Sequence, residues 1–394
     1  MTARLARHWE RRLYSGAHPV AYPLLTAVGK CGPAVRVPGV GVVVNSPSPA
    51  KEVLCDTARF VKNGPGSSGA LWTPVLGPSV LLNMEGDEHQ ALRGKLAGLF
   101  TPTASQALCA RVLGRPDGIL ERLAADLERG GAVDLVRVTR VAAGTVIGEL
   151  IGFPAADEQA CLELFARGEA IVGMVKLRTR ELSASQVARA RGVLAAVVAP
   201  AAQAYRRGDP ATVMGRMAGL GLSEEEALGA AAAFFLTGTE TVATTVPRLI
   251  AMICDHGLDR EPSGPWLDRA IDEAMRVMAP TPAMLRRAVA PARIGRVEVR
   301  PGDRILIATL TCTRSAGPFD VAAVLDGTRR ESAPRRLWFG AGPHFCLGAP
   351  LALAEIRSLA TTVLSSAASL RIIRRRVSRG VLIPAYRVLE VQRA

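Results

Sequence analysis

The stretch FGAGPHFCLG, residues 339–348, surrounds a single cysteine with three glycines and a proline. Glycine permits backbone angles and close approaches that other residues resist, so this loop is predicted to let another body lie against its backbone. Cys346 also falls at the start of a helical pattern that continues through LALAEIRSLA. Backbone N–H groups at a loop-to-helix junction stabilise a thiolate, and a thiolate is a metal ligand. The stretch therefore predicts a cysteine whose sulfur binds a metal.

Haem iron fits this cysteine better than zinc does. Zinc would need further clustered ligands, and none stand near Cys346 in the sequence. One thiolate is a sufficient protein ligand for haem iron. The alternative is that Cys346 is a small buried hydrophobe, as a lone cysteine more often is. A cysteine hydrolase is disfavoured, because its base would have to be His344, two residues away on the same stiff loop.

The composition predicts a helix-rich protein with a large core. The chain has 394 residues, 49% hydrophobic and only 4% aromatic, and Ala, Val and Leu dominate. Its net charge of +14 is carried mainly by Arg. No zinc-finger spacing or basic-aromatic stripe accompanies that charge, so nucleic-acid binding is not indicated. Solvated helix faces and an acidic protein partner both account for the charge and stay open as interpretations.

The expected location is cytoplasmic. Seven cysteines with no Cys-x-x-Cys pair are typical of a reducing compartment. The first 30 residues contain no apolar run long enough for a signal peptide or a membrane span. We therefore expect no membrane span.

Hydrophobic periodicity predicts mostly helices, with a few short strands. Residues 61–87 are predicted to form a long Gly/Pro/Ser-rich connection that packs on the body of the protein. Because predicted strands occur near both ends of the chain, we expect one interleaved domain over residues 1–394, mainly α with a small β portion. The predicted helices cover about 88–100, 104–129, 134–151, 158–176, 183–207, 223–256, 265–277 and 351–367, and the strands lie within 34–44, 284–291, 297–310 and 380–391.

The longest predicted helix has a polar centre, FFLTGTETVATT, residues 234–245. Gly238 in a helix interior costs about 1 kcal/mol relative to Ala. Thr237, Gly238 and Thr241 share one face, since residues three or four apart lie on the same side of a helix. The pattern predicts a local widening of the helix beside a polar cavity or ligand. The alternative is an ordinary helix whose threonine hydroxyls bond back to the preceding turn.

Two further residue pairs carry little weight alone. EAMR places Glu273 and Arg276 one helical turn apart, and HQALR places His89 and Arg93 on one helix face. Each pair on its own reads most simply as a solvated surface contact. They gain meaning from their order along the chain together with the polar helix centre and the cysteine loop.

These four motifs together resemble the cytochrome P450 family. The cysteine loop matches the family's Phe-x-x-Gly-x-x-x-Cys-x-Gly pattern, and Glu273 and Arg276 match its Glu-x-x-Arg pair. TGTET matches the oxygen-binding stretch, usually Ala-Gly-x-Asp/Glu-Thr, although Thr237 replaces the alanine. His89 and Arg93 match the His-x-x-x-Arg of bacterial members. The segment before the loop departs from the family pattern, so residues 311–334 cannot be aligned, and Leu353 replaces the usual arginine after the loop.

The resemblance implies the P450 fold and a haem b (heme b) cofactor with Cys346 as its iron ligand. It implies that the haem propionates contact His89, Arg93, Arg287 and His344, and that Phe339, Gly340 and Gly348 complete the haem site. Thr241 and Glu240, assisted by Gly238 and Thr237, are the implied catalytic residues that deliver protons. Glu273 and Arg276 form a structural network, with Arg329 as its third member or Arg330 as the alternative.

The implied activity is that of a monooxygenase that uses O2 to hydroxylate or epoxidise an apolar small molecule in natural-product metabolism. Electrons are expected from a separate ferredoxin or flavodoxin with its reductase, docking near Arg335 and Arg336. A monomer is expected. The substrate is expected to lie against the 61–87 and 165–190 regions, Phe234, residues 282–285 and Leu382–Ile383. Two alternatives stay open: oxidative coupling, cyclisation or rearrangement of a biosynthetic intermediate, and a non-catalytic haem sensor.

Overall fold

The structure is a computed structural model that describes residues 2–153, 157–175, 179–258, 261–262, 264–328, 336–367 and 369–394. It is 59% helical and 11% strand, which confirms the predicted mainly α class. The helices are α1 Thr2–Ala17, α2 Ala21–Gly29, α3 Pro47–Cys55, α4 Ser68–Leu76, α5 Gly86–Ala97, α6 Pro102–Leu113, α7 Ile119–Glu128, α8 Leu135–Ile151, α9 Glu158–Val172, α10 Ala184–Arg207, α11 Val213–Gly219, α12 Glu224–Asp255, α13 Trp266–Met278, α14 Thr309–Arg314, α15 Val321–Leu325 and α16 Ala349–Ser365.

The strands form three small sheets that join distant parts of the chain. The largest has the order β1-β2-β8-β5-β3, in which β2 and β8 are parallel and the other pairs are antiparallel. A second sheet has the order β4-β10-β9, and β6 and β7 form a hairpin. The strands are β1 Ala34–Val37, β2 Gly41–Val44, β3 Phe60–Val61, β4 Val133–Asp134, β5 Met284–Ala288, β6 Ala292–Ile294, β7 Val297–Val299, β8 Arg304–Ile307, β9 Leu370–Val377 and β10 Tyr386–Arg393.

Helix α12 runs through the centre of the molecule. Ser223 begins it with a capping box, in which its side chain accepts from the Glu226 amide and Glu226 accepts from the Ser223 amide. Close neighbours hold it in place: the Thr139 hydroxyl of α8 donates to the Ala243 carbonyl at 3.0 Å. A Cβ on Gly168 of α9 would stand 2.9 Å from Thr239 Oγ1, so α9 crosses α12 closely only because that residue is glycine. These contacts fix the polar centre of α12.

Two local predictions were wrong. The 61–87 connection contains helix α4, whose buried residues include Leu71 and Val75. The helix predicted over 104–129 is two helices, α6 and α7. Gly114 is the C-cap of α6, and Asp117 in the connection takes a φ of 53°, which no right-handed helix contains.

The described helices include none with the length and apolar character that crossing a membrane requires.

Candidate functional site

A cavity of about 540 Å³ lies between the polar centre of α12 and the cysteine loop. Its wall is largely apolar, as small-molecule sites usually are. All the regions predicted to contact a substrate contribute to it. The apolar lining includes Leu71, Trp72, Leu81, Phe100, Ile147, Val172, Val175, Phe234, Leu285, Leu306, Leu382 and Ile383.

Most of the sequence-predicted site residues also line this cavity. They are His89, Arg93, Thr237, Gly238, Glu240, Thr241, Phe339, Gly340, His344, Cys346 and Gly348. Residues more than 250 positions apart in the chain thus meet in one place.

The cysteine loop is held by its own backbone. The Cys346 amide donates to the Phe339 carbonyl at 2.8 Å, and the Phe345 amide donates to the Gly342 carbonyl at 3.0 Å. Gly340 and Gly342 have φ values of 82° and 65°, which favour glycine. A Cβ on Gly342 would stand 2.9 Å from Cys55 Cα, so this glycine lets the loop pack on α3.

Of the two roles predicted for the loop glycines, an unusual backbone angle and the close approach of another body, Gly348 is consistent only with the second. Its φ of −81° is ordinary, so it is not needed for an unusual backbone angle. A Cβ on Gly348 would meet no protein atom within 4 Å, and the residue lines the cavity. Its small size therefore keeps space open beside Cys346.

The Cys346 sulfur stands at the beginning of α16, where backbone N–H groups converge. Burial raises the pKa of the Cys346 thiol, while hydrogen bonds from the Gly348 and Ala349 amides and the positive charge of Arg93 act to lower it. The side chain is accessible from the cavity. Within the described residues, no group of three or more His, Cys, Asp or Glu side chains could hold a metal ion.

The polar face of α12 is an unbroken α-helix. Thr237 Oγ1 donates to the Ala233 carbonyl at 2.7 Å, and Thr241 Oγ1 donates to the Thr237 carbonyl at 3.3 Å. The predicted widening is therefore not seen, and the hydroxyls bond back to the preceding turn, as the alternative held. A Cβ on Gly238 would stand 2.4 Å from Ile147 Cδ1, so this glycine makes room for α8. Both threonines and Gly238 nevertheless line the cavity.

Glu240 is a buried acid on the same wall. Its pKa is raised to about 7, chiefly by burial and also by the nearby Glu169 carboxylate, while Arg140 acts to lower it. Arg140 donates to Glu169 Oε1 at 2.6 Å, and both side chains are about one-third exposed. The pair therefore connects the surroundings of Glu240 with solvent. A carboxyl with a pKa near 7 both gives and takes a proton at neutral pH.

A set of titratable residues that includes two histidines lies at the other edge of the cavity. His344 Nε2 is 2.6 Å from Glu85 Oε2, and His344 Nδ1 is 3.1 Å from His89 Nε2. A carboxylate only accepts, so His344 donates from Nε2 and its Nδ1 accepts from His89. Burial lowers the pKa of both imidazoles, that of His89 to about 4. Both histidines are therefore neutral at pH 7.

Lys62 and Arg286 join this group, although the sequence motifs did not single them out. Both are buried and line the cavity. Burial lowers the pKa of Lys62 to about 7 and that of Arg286 to about 10. Arg286 Nε has no hydrogen-bond partner. The five residues His89, Arg93, His344, Lys62 and Arg286 are called the cationic cluster below, and Glu85 is the carboxylate among them.

The prediction for Arg287 was wrong by one residue. Neighbouring residues of a strand point to opposite faces, so a shift of one reverses the side. Arg286 shares its face with Met284, whose sulfur lies 4.0 Å from where a Cβ on Gly340 would stand. Arg287 lies instead beside Gly64, where a Cβ would be 2.7 Å from its Nη1. Arg286, and not Arg287, is therefore among the residues that line the cavity.

These residues fit haem. A thiol backed by two amides suits iron, and Gly348 leaves room beside it. The cationic cluster holds more donors than Glu85 satisfies, and Arg286 Nε is an orphaned buried donor. Two propionate carboxylates supply the acceptors that such donors require.

Glu355 is a further buried acid on the cavity wall that the sequence motifs did not mark. It lies on α16, and burial raises its pKa well above the usual range.

The Glu273–Arg276 pair forms a buried network away from the cationic cluster. Arg276 donates to Glu273 through Nε at 2.9 Å and Nη2 at 2.6 Å. Its remaining bonds go to backbone carbonyls of the segment that could not be aligned, and Glu273 accepts from the Asp320 amide at 2.9 Å. The pair thus pins residues 313–320 to α13. The three carbonyls belong to Thr313, Gly317 and Pro318.

Three basic residues named from the sequence lie outside the described residues: Arg329 and Arg330, candidates for that network, and Arg335, expected at the docking face. Arg336 is described. Its side chain pairs with Asp272, with Nε 3.1 Å from Oδ1.

Comparison with known proteins agrees with these motifs. The family model of cytochrome P450 matches residues 262–366. The chain is 29% identical over 384 residues to the mycinamicin IV hydroxylase/epoxidase of Micromonospora griseorubida. The aligned region covers 87% of this chain and 90% of that protein. It is 27% identical over 318 residues to the erythromycin C-12 hydroxylase of Saccharopolyspora erythraea, with 77% and 76% covered.

The fold is similar to solved structures as well. The crystal structure of P450BioI in complex with hexadec-9Z-enoic acid ligated acyl carrier protein matches with a TM-score of 0.78 at 20% identity. The match covers 95% of this chain and 99% of that one. At this level of identity it shows the fold alone.

Proposed function

The chain belongs to the cytochrome P450 family of haem-thiolate monooxygenases, and from that premise we propose that it hydroxylates or epoxidises an apolar small molecule in natural-product biosynthesis. The observation that carries the proposal is the position of Cys346. Its sulfur faces the cavity and receives the Gly348 and Ala349 amides, with the Thr241 face of α12 on the same cavity. Haem, when bound, supplies the activation of O2 and the transfer of one oxygen atom to the substrate.

We propose haem b, with Cys346 as the iron ligand. His89, Arg93, His344, Lys62 and Arg286 would hold its two propionates. Phe339, Gly340 and Gly348 line the same part of the cavity, and there Gly348 contributes space rather than a contact. The single N–H of each neutral imidazole is already used, that of His344 toward Glu85 and that of His89 toward His344. The positive charge and the free donors for the propionates would therefore come mainly from Arg93 and Arg286.

The proposed proton path uses Glu240 and Thr241. Glu240 exchanges protons near pH 7, and the Arg140–Glu169 pair beside it is open to solvent. Thr241 presents a hydroxyl on the cavity, one residue further along the helix. Thr237 lies one turn earlier on the same face and offers a second hydroxyl. Gly238 contributes by admitting Ile147 against the helix.

The proposed partners follow from the family. Electrons come from a ferredoxin or flavodoxin with its reductase, and the protein acts as a monomer on O2 and substrate. Because Arg336 is paired with Asp272, much of its charge is neutralised before a partner arrives. We therefore propose docking near the cysteine loop, where Arg336 alone contributes only part of its charge.

The test is the spectrum of the reduced carbon monoxide complex. The wild type should contain one haem b per chain and give the thiolate-type band, and Cys346→Ala should lose it. Cys55→Ala is the matched control, because Cys55 is a free cysteine that packs against the same loop at Gly342. A thiolate band in Cys346→Ala, or its loss only in Cys55→Ala, would contradict the assignment. Candidate substrates can then be screened by the shift they cause in the haem absorption band.

A further inference from the structure

A second cavity, of about 440 Å³, opens at the surface beside the β1–β2 turn. Residues 36–41, Pro65, Gly66, Arg180, Glu181 and residues 302–304 line it. Arg304 also lines the cavity above Cys346, so its side chain stands where the two cavities adjoin. The second cavity is called the outer cavity below.

The three arginines of the outer cavity differ in how their charges are used. Arg36 is paired with Asp303 through two hydrogen bonds of 3.0 and 2.8 Å, and Asp303 also accepts from the Arg300 amide. That pair is satisfied internally. Arg180 donates to the Gly39 carbonyl at 2.8 Å, a neutral acceptor. Arg304 Nε is buried, and none of the described residues offers it a hydrogen-bond acceptor.

Arg180 and Arg304 therefore carry two like charges toward one space. In the described residues neither forms an ion pair: Glu181, next to Arg180, is exposed, and Asp303, next to Arg304, is paired with Arg36. Burial lowers the pKa of Arg304, and the charge of Arg180 lowers it further. The two carboxylates that line the outer cavity thus do not pair with these guanidiniums in the described residues. Two guanidiniums that share a cavity in this way are favoured when an anion joins them.

The position of Arg304 is fixed by two glycines. Gly66 has a φ of 82°, and a Cβ there would stand 3.6–3.8 Å from the Cβ, Cγ and Cδ of Arg304, so the aliphatic part of Arg304 lies over Gly66. A Cβ on Gly41 would stand 2.2 Å from the Arg304 carbonyl oxygen, so the β1–β2 turn closes tightly on β8. A side chain held in this way loses little entropy when it binds a ligand.

We propose that the substrate carries an anionic group, a carboxylate or a phosphate, which Arg180 and Arg304 bind in the outer cavity while its apolar part reaches toward Cys346. Planar guanidiniums match both kinds of oxyanion. The inference rests on the proposed function, since it concerns the substrate of the same site. It narrows that substrate from any apolar molecule to an amphiphilic one.

The test compares three ligands of equal chain length: decanoic acid, decyl phosphate and decanol. Binding to the haem-loaded protein is measured by the shift in the haem absorption band and, independently of the haem signal, by calorimetry. The wild type should bind at least one anion about 10-fold more tightly than decanol, as expected for a charge-assisted contact. Whether the acid or the phosphate is preferred identifies the oxyanion.

The variants assign the effect to residues. Arg304→Gln and Arg180→Gln should each remove most of the preference for the anion while leaving decanol binding unchanged. Arg180 is exposed, so its substitution leaves folding intact. Arg300→Gln is the control, because Arg300 lies close by in sequence but does not line the outer cavity. Equal affinity for anions and decanol in the wild type, no binding of either anion, or an unchanged preference in both variants overturns the proposal. A missing thiolate spectrum would instead refute the proposed function, and calorimetry would still report on the anion site.

Discussion

The Glu273–Arg276 network and the cationic cluster are both buried and charged, but they differ in how their charges are satisfied. Arg276 donates to both oxygens of Glu273 and to three backbone carbonyls. Arg286 donates to the Leu285 carbonyl at 2.9 Å, while its Nε has no partner. Lys62 reaches the Leu81 carbonyl at 3.4 Å.

The difference separates a scaffold from a ligand site. A buried charge whose donors are all used stabilises the surrounding chain, and any change that removes its partner leaves an uncompensated charge. A buried donor without a partner lowers stability unless something binds it. The network is therefore predicted to matter for folding, and the cluster for holding an anionic ligand.

The largest effect is expected from Glu273→Ala. It leaves Arg276 buried without its carboxylate and frees the Asp320 amide, at a cost of about 3–5 kcal/mol of unfolding free energy. We expect failure to fold or to take up haem, measured by thermal unfolding and by haem content. The control is Glu158→Ala, which removes a surface pair with Arg137 and should cost less than about 1 kcal/mol. Normal haem content in Glu273→Ala would show that the network is dispensable.

A smaller, ligand-dependent effect is expected from Arg286→Gln. The apoprotein should be no less stable than wild type, because the substitution removes a buried charge that forms no ion pair in the described residues and feels Glu85 only weakly against the cost of burial. The holoprotein should lose haem about 10-fold faster, since a charge-assisted bond to a propionate is missing. Haem transfer to an acceptor protein measures this rate.

Arg287→Gln is the matched control for that variant. It changes the neighbouring residue, whose side chain lies beside Gly64, and haem loss should stay at the wild-type rate. Faster loss from Arg287→Gln with normal loss from Arg286→Gln would restore the assignment made from the sequence.

This pair of arginines also shows where sequence reasoning stops. The cysteine loop and the long helices were predictable because their signals are local: spacing, glycines and periodicity. Choosing between Arg286 and Arg287 required the register of β5 against β8, which pairs Arg287 with Arg304 and depends on contacts across the fold. Lys62 carries no local signal, since it follows β3 directly and joins the site when β3 pairs with β5. Glu85 precedes α5, and its part in the site became evident only from its contacts with His344 and the Lys62 amide.

The threonines of α12 are expected to affect chemistry without affecting stability. Thr241 donates only to its own helix, so Thr241→Ala should unfold at the wild-type temperature within error and still bind haem. If Thr241 directs proton delivery, reducing equivalents should appear as hydrogen peroxide in place of product. The measurement is the coupling ratio, the amount of product formed per reducing equivalent consumed.

Two variants sharpen that test. Thr237→Ala combined with Thr241→Ala should lower the ratio further, because Thr237 presents the other hydroxyl on this face. Thr244→Ala is the control: it is back-bonded to the Glu240 carbonyl at 2.8 Å and is absent from the described cavity lining. Coupling as tight as wild type in the double variant would exclude this face as the proton relay.

The smallest effect is expected from Glu240→Gln, which should change how the free energy of unfolding depends on pH. This variant extends the comparison from buried bases to a buried acid. The pKa of Glu240 is raised from 4.5 to about 7, chiefly by burial. Between these values the folded protein binds a proton that the unfolded chain has released. The contribution of Glu240 to stability therefore falls as pH rises from about 4.5 to about 7 and then levels off.

Glu240→Gln cannot titrate, so its stability relative to wild type should increase across that interval and stay constant above it. The difference between the two proteins isolates Glu240 from the histidines and from Glu355, which both proteins share. Denaturant unfolding at pH 5, 6, 7 and 8 measures the difference. The control is Glu163→Gln, an exposed change on α9, whose unfolding free energy should depend on pH as that of the wild type does. If the unfolding free energy of Glu240→Gln shows the same pH dependence as that of the wild type, Glu240 is ionised across pH 5–8, and Arg140 rather than burial controls its charge. A carboxylate already ionised at pH 5 has no proton to give, and the relay would then have to draw on solvent through Thr241 alone.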